Sequence, residues 1–181
     1  MIRLHSREPI PASCHGAIVA LGNFDGFHRG HQAVVGEAIG WAKSEGRPAI
    51  VATFDPHPKR FFQPDAPSFR LTTLDQRQDL FAAAGADAML VIDFDAAVAA
   101  MSAQQWVDGF LAGHCHAAGV VTGEDFTFGK GRSGTPQALR ELGAPLGIGA
   151  RAVGAVLDAG GPVSSSRIRD ALKAGDCAEA T

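Results

Sequence analysis

Two histidines and three glycines in the stretch LGNFDGFHRGH (21–31) could together bind a phosphorylated ligand. His28 and His31 lie one helical turn apart if a helix begins here, so both rings can reach the same point. The glycines allow tight turns and a close approach of the backbone to a ligand. A loop of this kind at the start of a helix presents free N–H groups and the positive end of the helix dipole to an anion. The pattern therefore favours a site that stabilises negative charge at phosphorus.

Two other interpretations of this histidine pair stay open. A zinc site would need a third and a fourth ligand, and the sequence nearby offers no obvious set. The pair could also be two surface or core histidines that bind no ligand. The stretch HCH at 114–116 is a second possible metal pattern. Alternation at a helix end points its two flanking side chains apart, which favours an ordinary structural role.

The stretch VSSSRIR (163–169) predicts a second anion site at another helix start. Ser164, Ser165 and Ser166 offer hydroxyl and backbone N–H groups at the positive end of that helix, and Arg169 adds a charged fork. Capping of the helix by a serine is the simpler explanation. That explanation accounts for one of the three serines and does not explain the two arginines that follow them.

Two further loops combine charged groups with proline, glycine and phenylalanine. TFDPHPKRFF (53–62) places Asp55 and His57 after a predicted strand, and its two prolines make the loop stiff. Phe61 and Phe62 in this loop could be core, which is the usual fate of phenylalanine. GEDFTFGKGRSG (123–134) carries two cations among glycines, an arrangement that suits phosphate contact.

Apolar runs alternate with helical patterns along the chain, and these elements must hold the four segments in place. Strand–helix alternation at this spacing predicts a single-domain α/β fold with a Rossmann-like, doubly wound, mainly parallel sheet. Ligands bind such sheets at the carboxyl ends of the strands, so we expect the four segments to converge there on one crevice. The predicted strands lie at 17–21, 48–54, 88–94, 119–123 and 148–153, and the predicted helices at about 30–44, after Thr73, after Ser102, at 135–142 and at 164–175.

Capping residues and apolar spacing define two of these helices more closely. Thr73 with Gln76, and Ser102 with Gln105, have the spacing of a capping box. A glycine, Gly85, is expected to end the first of the two helices, and the chain between 55 and 71 is expected to be a loop. The residues expected to face the core are Leu80, Phe81 and Ala84 in the first helix and Trp106, Val107, Phe110 and Leu111 in the second.

Composition is that of an ordinary globular protein, with 46% hydrophobic and 19% charged residues in a chain of 181. A net charge of −3 does not favour nucleic-acid binding. No apolar run approaches the roughly 20 residues of a membrane span, and the N-terminus lacks the apolar core of a signal peptide. Three widely spaced cysteines argue against a disulfide framework. We therefore expect a cytoplasmic protein without a membrane partner, and its oligomeric state is left open.

The four segments together resemble the FAD synthetases of bacteria. GNFDGFHRGH resembles the H-x-G-H signature of the nucleotidyltransferase superfamily in the form found in those enzymes, and TFDPHP, GEDFTFGKGRSG and VSSSRIRDAL match in the same order. The resemblance covers about residues 15–177. It implies a nucleotidyltransferase fold of the HxGH type and FMN adenylyltransferase activity, in which FMN and ATP give FAD and pyrophosphate in the presence of Mg²⁺.

Bacterial members of this family usually continue into a riboflavin kinase domain. In this chain, by contrast, we expect residues 1–181 to be the adenylyltransferase domain alone, with no kinase domain. Two alternatives are a related nucleotidyltransferase that uses another acceptor, nicotinamide mononucleotide or phosphopantetheine, and a flavin- or nucleotide-binding module without turnover.

The resemblance also implies roles for the catalytic residues. His28 and His31 are expected to stabilise the transition state, and Ser165, Ser166 and Arg169 to hold the phosphates of ATP. No general base is required, because the attacking FMN phosphate oxygen is already ionised at neutral pH.

Other residues are expected to bind the two substrates. Phe62 and Phe128 are expected to flank the flavin, since an aromatic ligand needs flat apolar walls. Asp125 stands where the family often has asparagine, and it could contact a ribose hydroxyl or magnesium. The remaining expected binding residues are Gly22, Asn23, Phe24, Asp25, Gly26, Asp55, His57, Lys130, Arg132 and Ser164.

Overall fold

A sheet of six parallel strands forms the centre of the molecule. The structure, a computed structural model, describes residues 1–65 and 70–180. The four inner strands are almost wholly buried, as a parallel sheet with covered faces requires: all four residues of the second strand and six of seven in the third are inaccessible. In chain order the strands are β1 (Ile2–His5), β2 (Ile18–Leu21), β3 (Ala49–Asp55), β4 (Ala88–Asp93), β5 (Gly119–Gly123) and β6 (Gly149–Val153).

The order of the strands across the sheet is β1-β4-β3-β2-β5-β6. The chain therefore builds outward from β2 through β3 to β4 and then crosses to the other side of β2 to add β5 and β6. The carboxyl ends of β2 and β5 flank the point where the order reverses, which is the usual ligand crevice of such sheets. The predicted doubly wound fold is confirmed. A short antiparallel hairpin, β7 (Leu157–Asp158) with β8 (Gly161–Pro162), follows β6.

Helices connect the strands, and several begin where the sequence predicts. Capping boxes at Thr73 with Gln76 and at Ser102 with Gln105 are both present, and Gly85 ends the first of these helices in a left-handed conformation. The helices are α1 (Arg29–Glu45), α2 (Pro58–Phe62), α3 (Leu74–Ala84), α4 (Ala96–Ala100), α5 (Ala103–Gln105), α6 (Pro136–Gly143) and α7 (Ser165–Ala174).

Two core layers lie on opposite faces of the sheet. One contains α1 side chains and Phe81 of α3, and the other contains the segment Trp106–His114, which continues from α5 as a π-helix. The predicted inward residues of that segment, Trp106, Val107, Phe110 and Leu111, are all buried.

Several expectations about the elements are wrong. Leu80 is 38% exposed and Ala84 is also exposed, because α3 turns only Arg77 and Phe81 fully inward. The expected loop at 55–71 contains the short helix α2, whose start is favoured by a proline in the first turn; residues 66–69 lie outside the described part. Strand β1 and the β7–β8 hairpin were not expected, since both are short and mix polar with apolar residues.

No helix in the described part of the chain is long and apolar enough to cross a membrane.

Candidate active site

The loop between β2 and α1 brings His28 and His31 together at the start of the helix. His28 is the N-cap of α1, and its Nδ1 accepts a hydrogen bond from the backbone N–H of His31 at 3.4 Å. The two rings stack with their centroids 3.7 Å apart and an interplanar angle of 23°. Since Nδ1 of His28 is the acceptor, the neutral ring carries its proton on Nε2, which is then a hydrogen-bond donor.

Both histidines are neutral at physiological pH in this arrangement. Burial, with a smaller contribution from neighbouring His28, lowers the pKa of His31 to about 3. The pKa of His28 is also lowered, by burial first and then by the positive charge of Arg169. Phe24, itself buried, packs edge-on against the His31 ring at 5.3 Å. The pair therefore offers hydrogen-bond donors rather than fixed positive charges.

Close contacts explain why residue 30, between the two histidines, is a glycine. A Cβ atom at this position would lie 3.1 Å from Cε1 of His28 and 3.6 Å from the carbonyl oxygen of Val163. The first distance is tighter than ordinary van der Waals contact, so a side chain here would displace the His28 ring. The absence of a side chain also lets the start of α1 approach the segment that leads into α7.

Asp25 is the centre of a buried polar cluster beside this loop. The carboxylate is 2% exposed and accepts hydrogen bonds from the backbone N–H groups of Leu71 and Thr72 at 2.9–3.1 Å. It also pairs with two guanidinium groups, Arg77 at 3.1 Å and Arg169 at 2.7 Å. Burial alone would raise the pKa of Asp25, but these hydrogen bonds and charges hold it below its ordinary value. The carboxylate is therefore ionised and fully occupied by protein donors.

The start of α7 reaches this cluster through two of the predicted phosphate-binding residues. Ser165 donates its hydroxyl to the carbonyl oxygen of Asp25 at 2.8 Å, and Arg169 makes the ion pair described above. Ser164 is the N-cap, whose Oγ accepts from the N–H of Arg167 at 3.3 Å. Ser166 is exposed at the first turn. Capping of the helix thus accounts for Ser164 alone among the three serines.

Arg167, the other arginine of this segment, is directed elsewhere. Its guanidinium pairs with Asp158 of β7 at 2.6 Å and with Glu179. The two arginines of the motif therefore have separate structural partners: Arg169 contacts the loop after β2, and Arg167 contacts the hairpin and the chain after α7.

The end of β3 forms a cleft next to Asp25. The cleft has a volume of about 250 Å³ and is lined by Asp25, Asp55, Pro56, His57, Arg60, Arg70 and Arg77. Burial first, and then the charge of Arg169, lower the pKa of His57 to about 4. Asp55 pairs with Arg70 at 2.5 Å across this cleft. Three of the four predicted segments therefore meet at or beside this cleft. Segments 21–31 and 53–62 contribute lining residues, and segment 163–169 contacts Asp25 in the lining through Arg169.

Aromatic side chains extend from the cleft along the carboxyl edge of the sheet. Phe62 is 65% exposed and contacts Phe94 at 5.9 Å, and Phe94 in turn contacts Phe54 at 5.7 Å. Trp106 connects Phe54 to Phe128, with ring centroids 6.0 and 6.3 Å apart. One chain of ring contacts thus connects Phe62 to Phe128, and it continues from Phe128 to Phe126 at 6.1 Å.

The fourth predicted segment, 123–134, follows β5 on the other side of β2. None of the described residues lining the cleft comes from it, because β2 separates β5 from β3. Asp125, Lys130 and Arg132 are exposed, and Nε of Arg132 donates to Thr127 at 2.8 Å. Convergence of this segment on the same ligand stays a prediction.

Buried polar atoms without a partner concentrate at the reversal point. Four such side-chain atoms occur in the described part of the chain, and three of them are Oδ1 of Asn23, Nδ1 of His31 and Oγ1 of Thr122. Asn23 follows β2 and Thr122 lies near the end of β5. Buried polar groups are normally satisfied, so a bound ligand with polar groups is the simplest partner for them.

Several residues of this site were not predicted from the sequence, among them Arg70, which pairs with Asp55. Arg77 and Thr53 are inaccessible and hydrogen-bonded to each other at 3.1 Å, and Thr72 binds Asp25. One signal was available for Arg77. It stands four residues before Phe81 on the same face of α3, where the amphipathic pattern predicts an apolar residue.

All of this site except Arg169 lies within one family match. The sequence pattern of the FAD synthetases matches residues 10–167. The chain belongs to the FAD synthetase family.

Relatives in this family are similar over nearly the whole chain. The bifunctional riboflavin kinase/FMN adenylyltransferase of Escherichia coli (strain K12) is 32% identical over 93% of this chain and 53% of its own length. The protein of the same name from Pseudomonas fluorescens is 34% identical over 96% of this chain and 54% of its own. This chain therefore spans about half the length of these two relatives. A putative bifunctional riboflavin kinase/FMN adenylyltransferase of Geobacillus thermodenitrificans (strain NG80-2) is 35% identical, with 88% of its length covered.

A solved structure confirms the fold of this FAD synthetase family member. The crystal structure of a protein from Streptococcus pneumoniae, named a macrolide-efflux protein, has a TM-score of 0.87 and 28% identity. The match covers 99% of this chain and 59% of that chain. It supports the six-stranded α/β architecture.

The carboxylates and histidines of this FAD synthetase family member do not form a metal cage by themselves. The described ranges contain no group of three or more His, Cys, Asp or Glu residues that could hold a metal ion. Mg²⁺ commonly binds through one or two carboxylates together with substrate phosphates. A magnesium ion at this site would therefore need ligands from a bound phosphate group.

Proposed function

We propose that this chain transfers the adenylyl group of ATP to FMN and releases pyrophosphate. The observation that carries the proposal is the contact between the two helix starts: α7 joins the loop that leads into α1 through Ser165, Arg169 and Asp25. Two helix N-termini then lie beside one crevice, and each favours negative charge. ATP and FMN phosphate are the two anions that such a site must align.

In the proposed reaction an FMN phosphate oxygen attacks the α-phosphorus of ATP. A new P–O bond forms and the bond to the bridging α–β oxygen breaks, so pyrophosphate leaves with the electron pair. Charge stabilisation and alignment are the main requirements, because the nucleophile is already an anion. Mg²⁺, when bound with ATP, would neutralise part of the phosphate charge.

The histidine pair would act as hydrogen-bond donors in this step. The proton of His28 lies on Nε2, so this atom would donate to a phosphate oxygen, and neutral His31 would do the same from a buried position. Donors that are fixed before the reaction stabilise the transition state without reorganising. The backbone from 22 to 26 would line the adenylate, and Ser165, Ser166 and Arg169 would hold the other phosphates.

The aromatic chain would provide the flavin site. Phe62 and Phe128, which this chain connects, would flank the ring system, and Phe24 would support the histidines from the core. Lys130, Arg132 and Asp125 lie on the exposed loop after β5, where Asp125 would reach a ribose hydroxyl or magnesium.

The cysteines support a reducing compartment. Cys14 and Cys115 are buried free thiols, and burial raises the pKa of Cys115 to about 12. Such thiols persist in the cytoplasm, where we place the reaction.

The first experiment is a product assay. The protein is incubated with MgATP and FMN, and FAD and pyrophosphate are separated by chromatography. We expect equal amounts of both products with FMN and none with nicotinamide mononucleotide or phosphopantetheine. Product from one of the other acceptors would reassign the substrate, and tight FMN binding without pyrophosphate would indicate a binding module.

A second experiment tests the flavin site. Phe62→Ala removes a ring that is 65% exposed, so the free energy of unfolding of the protein should change by less than about 0.5 kcal/mol. We expect weaker FMN binding, measured by quenching of flavin fluorescence. Leu157→Ala is the matched control, because Leu157 is 68% exposed on the β7–β8 hairpin. Equal FMN affinity in both variants would remove Phe62 from the site.

A further inference from the structure

Arg77 is an arginine in the interior of the protein. It lies on α3, its residue is 2% exposed, and all three of its guanidinium nitrogens donate to protein oxygens. Nε donates to Thr72 at 3.2 Å, and Nη1 donates to Thr53 at 3.1 Å and to the carbonyl oxygen of Asn23 at 3.4 Å. Nη2 donates to Asp25 at 3.1 Å.

These contacts tie three separate parts of the chain to one side chain. Asn23 and Asp25 belong to the loop between β2 and α1, Thr53 belongs to β3, and Thr72 precedes α3. Only a planar group with several donors in fixed directions can satisfy this set, and lysine cannot. Arg77 therefore sets the path of the loop that carries the histidines.

Asp25 links Arg77 to Arg169 at the start of α7. Its Oδ1 accepts from Arg77 and its Oδ2 from Arg169 at 2.7 Å. The cluster of two guanidinium groups and one carboxylate has a net charge of one positive. If Arg77 were neutral, Asp25 and Arg169 together would have no net charge, and the start of α7 would attract a polyphosphate less strongly.

We propose that Arg77 is a positioning residue for polyphosphate binding. It binds one oxygen of Asp25, so that the cluster with Arg169 keeps its positive charge, and it fixes the Asn23 carbonyl. The proposal rests on the proposed function in taking ATP as the polyphosphate. It assigns Arg77 no contact with the reacting atoms.

The test compares Arg77→Met, Arg77→Lys and a matched control. Arg3→Met removes another arginine bonded to α3, through Asp75 at 2.5 Å and Gln78 at 2.7 Å, neither of which contacts Asp25. Each variant is assayed for KM and kcat with ATP and FMN varied in turn. Binding of pyrophosphate alone is measured by calorimetry.

We expect Arg77→Met to raise the KM for ATP and the Kd for pyrophosphate at least about tenfold, as loss of a buried charge does. The KM for FMN should change less than about threefold, and Arg77→Lys, which keeps the charge, should recover part of the pyrophosphate affinity. Arg3→Met should leave all these constants unchanged.

Equal changes in the constants for ATP and FMN would overturn the proposal, since they would indicate a general loss of structure. Unchanged pyrophosphate binding in Arg77→Met would do the same. If Arg77→Met does not fold, Arg77→Lys decides: weaker pyrophosphate binding with an unchanged KM for FMN supports the proposal, and unchanged binding rejects it. If the unmodified protein makes no FAD, the proposed function fails, and the calorimetric comparison still tests Arg77.

Discussion

His31 combines a proposed catalytic position with an uncharged state, and this combination can be tested at the level of one residue. His31→Asn keeps a hydrogen-bond donor but shortens the side chain and leaves the stacked His28 ring without its neighbour. We expect kcat for FAD formation to fall by about 10²–10³, the usual cost of removing one fixed donor to a developing charge. Steady-state kinetics at saturating MgATP and FMN give the value.

A second histidine pair provides the control for this variant. The rings of His15 and His116 contact each other in a tilted arrangement, with centroids 4.1 Å apart, at the amino ends of β2 and β5, away from the crevice. His116 has a φ of +49°, a conformation that asparagine adopts readily. His116→Asn should therefore leave kcat unchanged, and a comparable loss in both variants would contradict the role given to His31.

The lowered pKa of His31 also predicts how stability depends on pH. Its pKa is about 3 in the folded protein and near 6.5 when unfolded. Below pH 6.5 the unfolded chain binds a proton that the folded protein does not, so the free energy of unfolding falls as the pH falls. The fall is up to about 1.4 kcal/mol per pH unit for each such histidine.

Urea unfolding at pH 7.5, 6.5, 5.5 and 5.0 measures this dependence. His31→Asn should show a shallower fall than the unmodified protein below pH 6.5 and a parallel curve above it. Two parallel curves throughout would mean that folding does not lower the pKa of His31.

The chemistry of single residues is partly visible in the sequence. Ser165, Arg169 and the histidine pair can be recognised because each stands at a predicted helix start. Arg77 cannot be assigned in this way, since an arginine on a helix is normally solvent-exposed. Its burial depends on Asp25, which is 52 residues away in the chain, and local patterns carry no information about such a partner.

At the scale of the element, helix α1 offers a direct comparison between two glycines. A Cβ at Gly30 would press on the His28 ring, whereas a Cβ at Gly36 would meet nothing within 4 Å. Alanine stabilises a helix over glycine by about 0.5–1 kcal/mol. We expect Gly36→Ala to raise the melting temperature and leave kcat unchanged.

Gly30→Ala should separate stability from activity. The helix gains the same propensity, but His28 must move by a few tenths of an ångström, so kcat should fall at least about tenfold through misalignment. Thermal unfolding and kinetics of the two variants provide the measurement. Equal kcat values would show that the close approach at Gly30 has no role in the reaction.

Elements with strong local signals are the ones that the sequence predicts well. Both capping boxes are predicted, because each depends on two side chains three residues apart. Strand β1 is missed, because an edge strand with Ile2 47% exposed lacks a continuous apolar run. The π-helix Trp106–His114 is also missed, since its buried face has the same spacing as that of an ordinary helix.

At the scale of the whole molecule, alternation of strands and helices predicts the doubly wound sheet but not the neighbours of each strand. That order decides which loops share the crevice. Strand β3 lies on one side of β2, which places residues 55–62 beside Asp25. Strand β5 lies on the other side of β2, which places residues 123–134 across the point where the strand order reverses. Pairing of distant strands is set by tertiary packing, which one sequence does not reveal.

A ligand that bridges α1, α7 and the cleft should stabilise the whole fold. ATP at 100 times its Kd should raise the free energy of unfolding by about 2.7 kcal/mol. Thermal unfolding with and without ATP measures the shift. Arg77→Met should show a smaller shift at the same ATP concentration, and an equal shift would count against the polyphosphate site described above.

The contact between Asp25 and Arg169 spans 144 residues of sequence, and this has a consequence for the order of folding. Loop closure over such a distance is slow relative to local structure. Trp41 and Trp106, the two tryptophans of the chain, are buried against the sheet and report on its assembly. During refolding from urea, recovery of tryptophan emission should therefore precede or accompany recovery of activity and never follow it. A ribosome must likewise release the chain at least through Arg169 before the proposed catalytic centre can assemble.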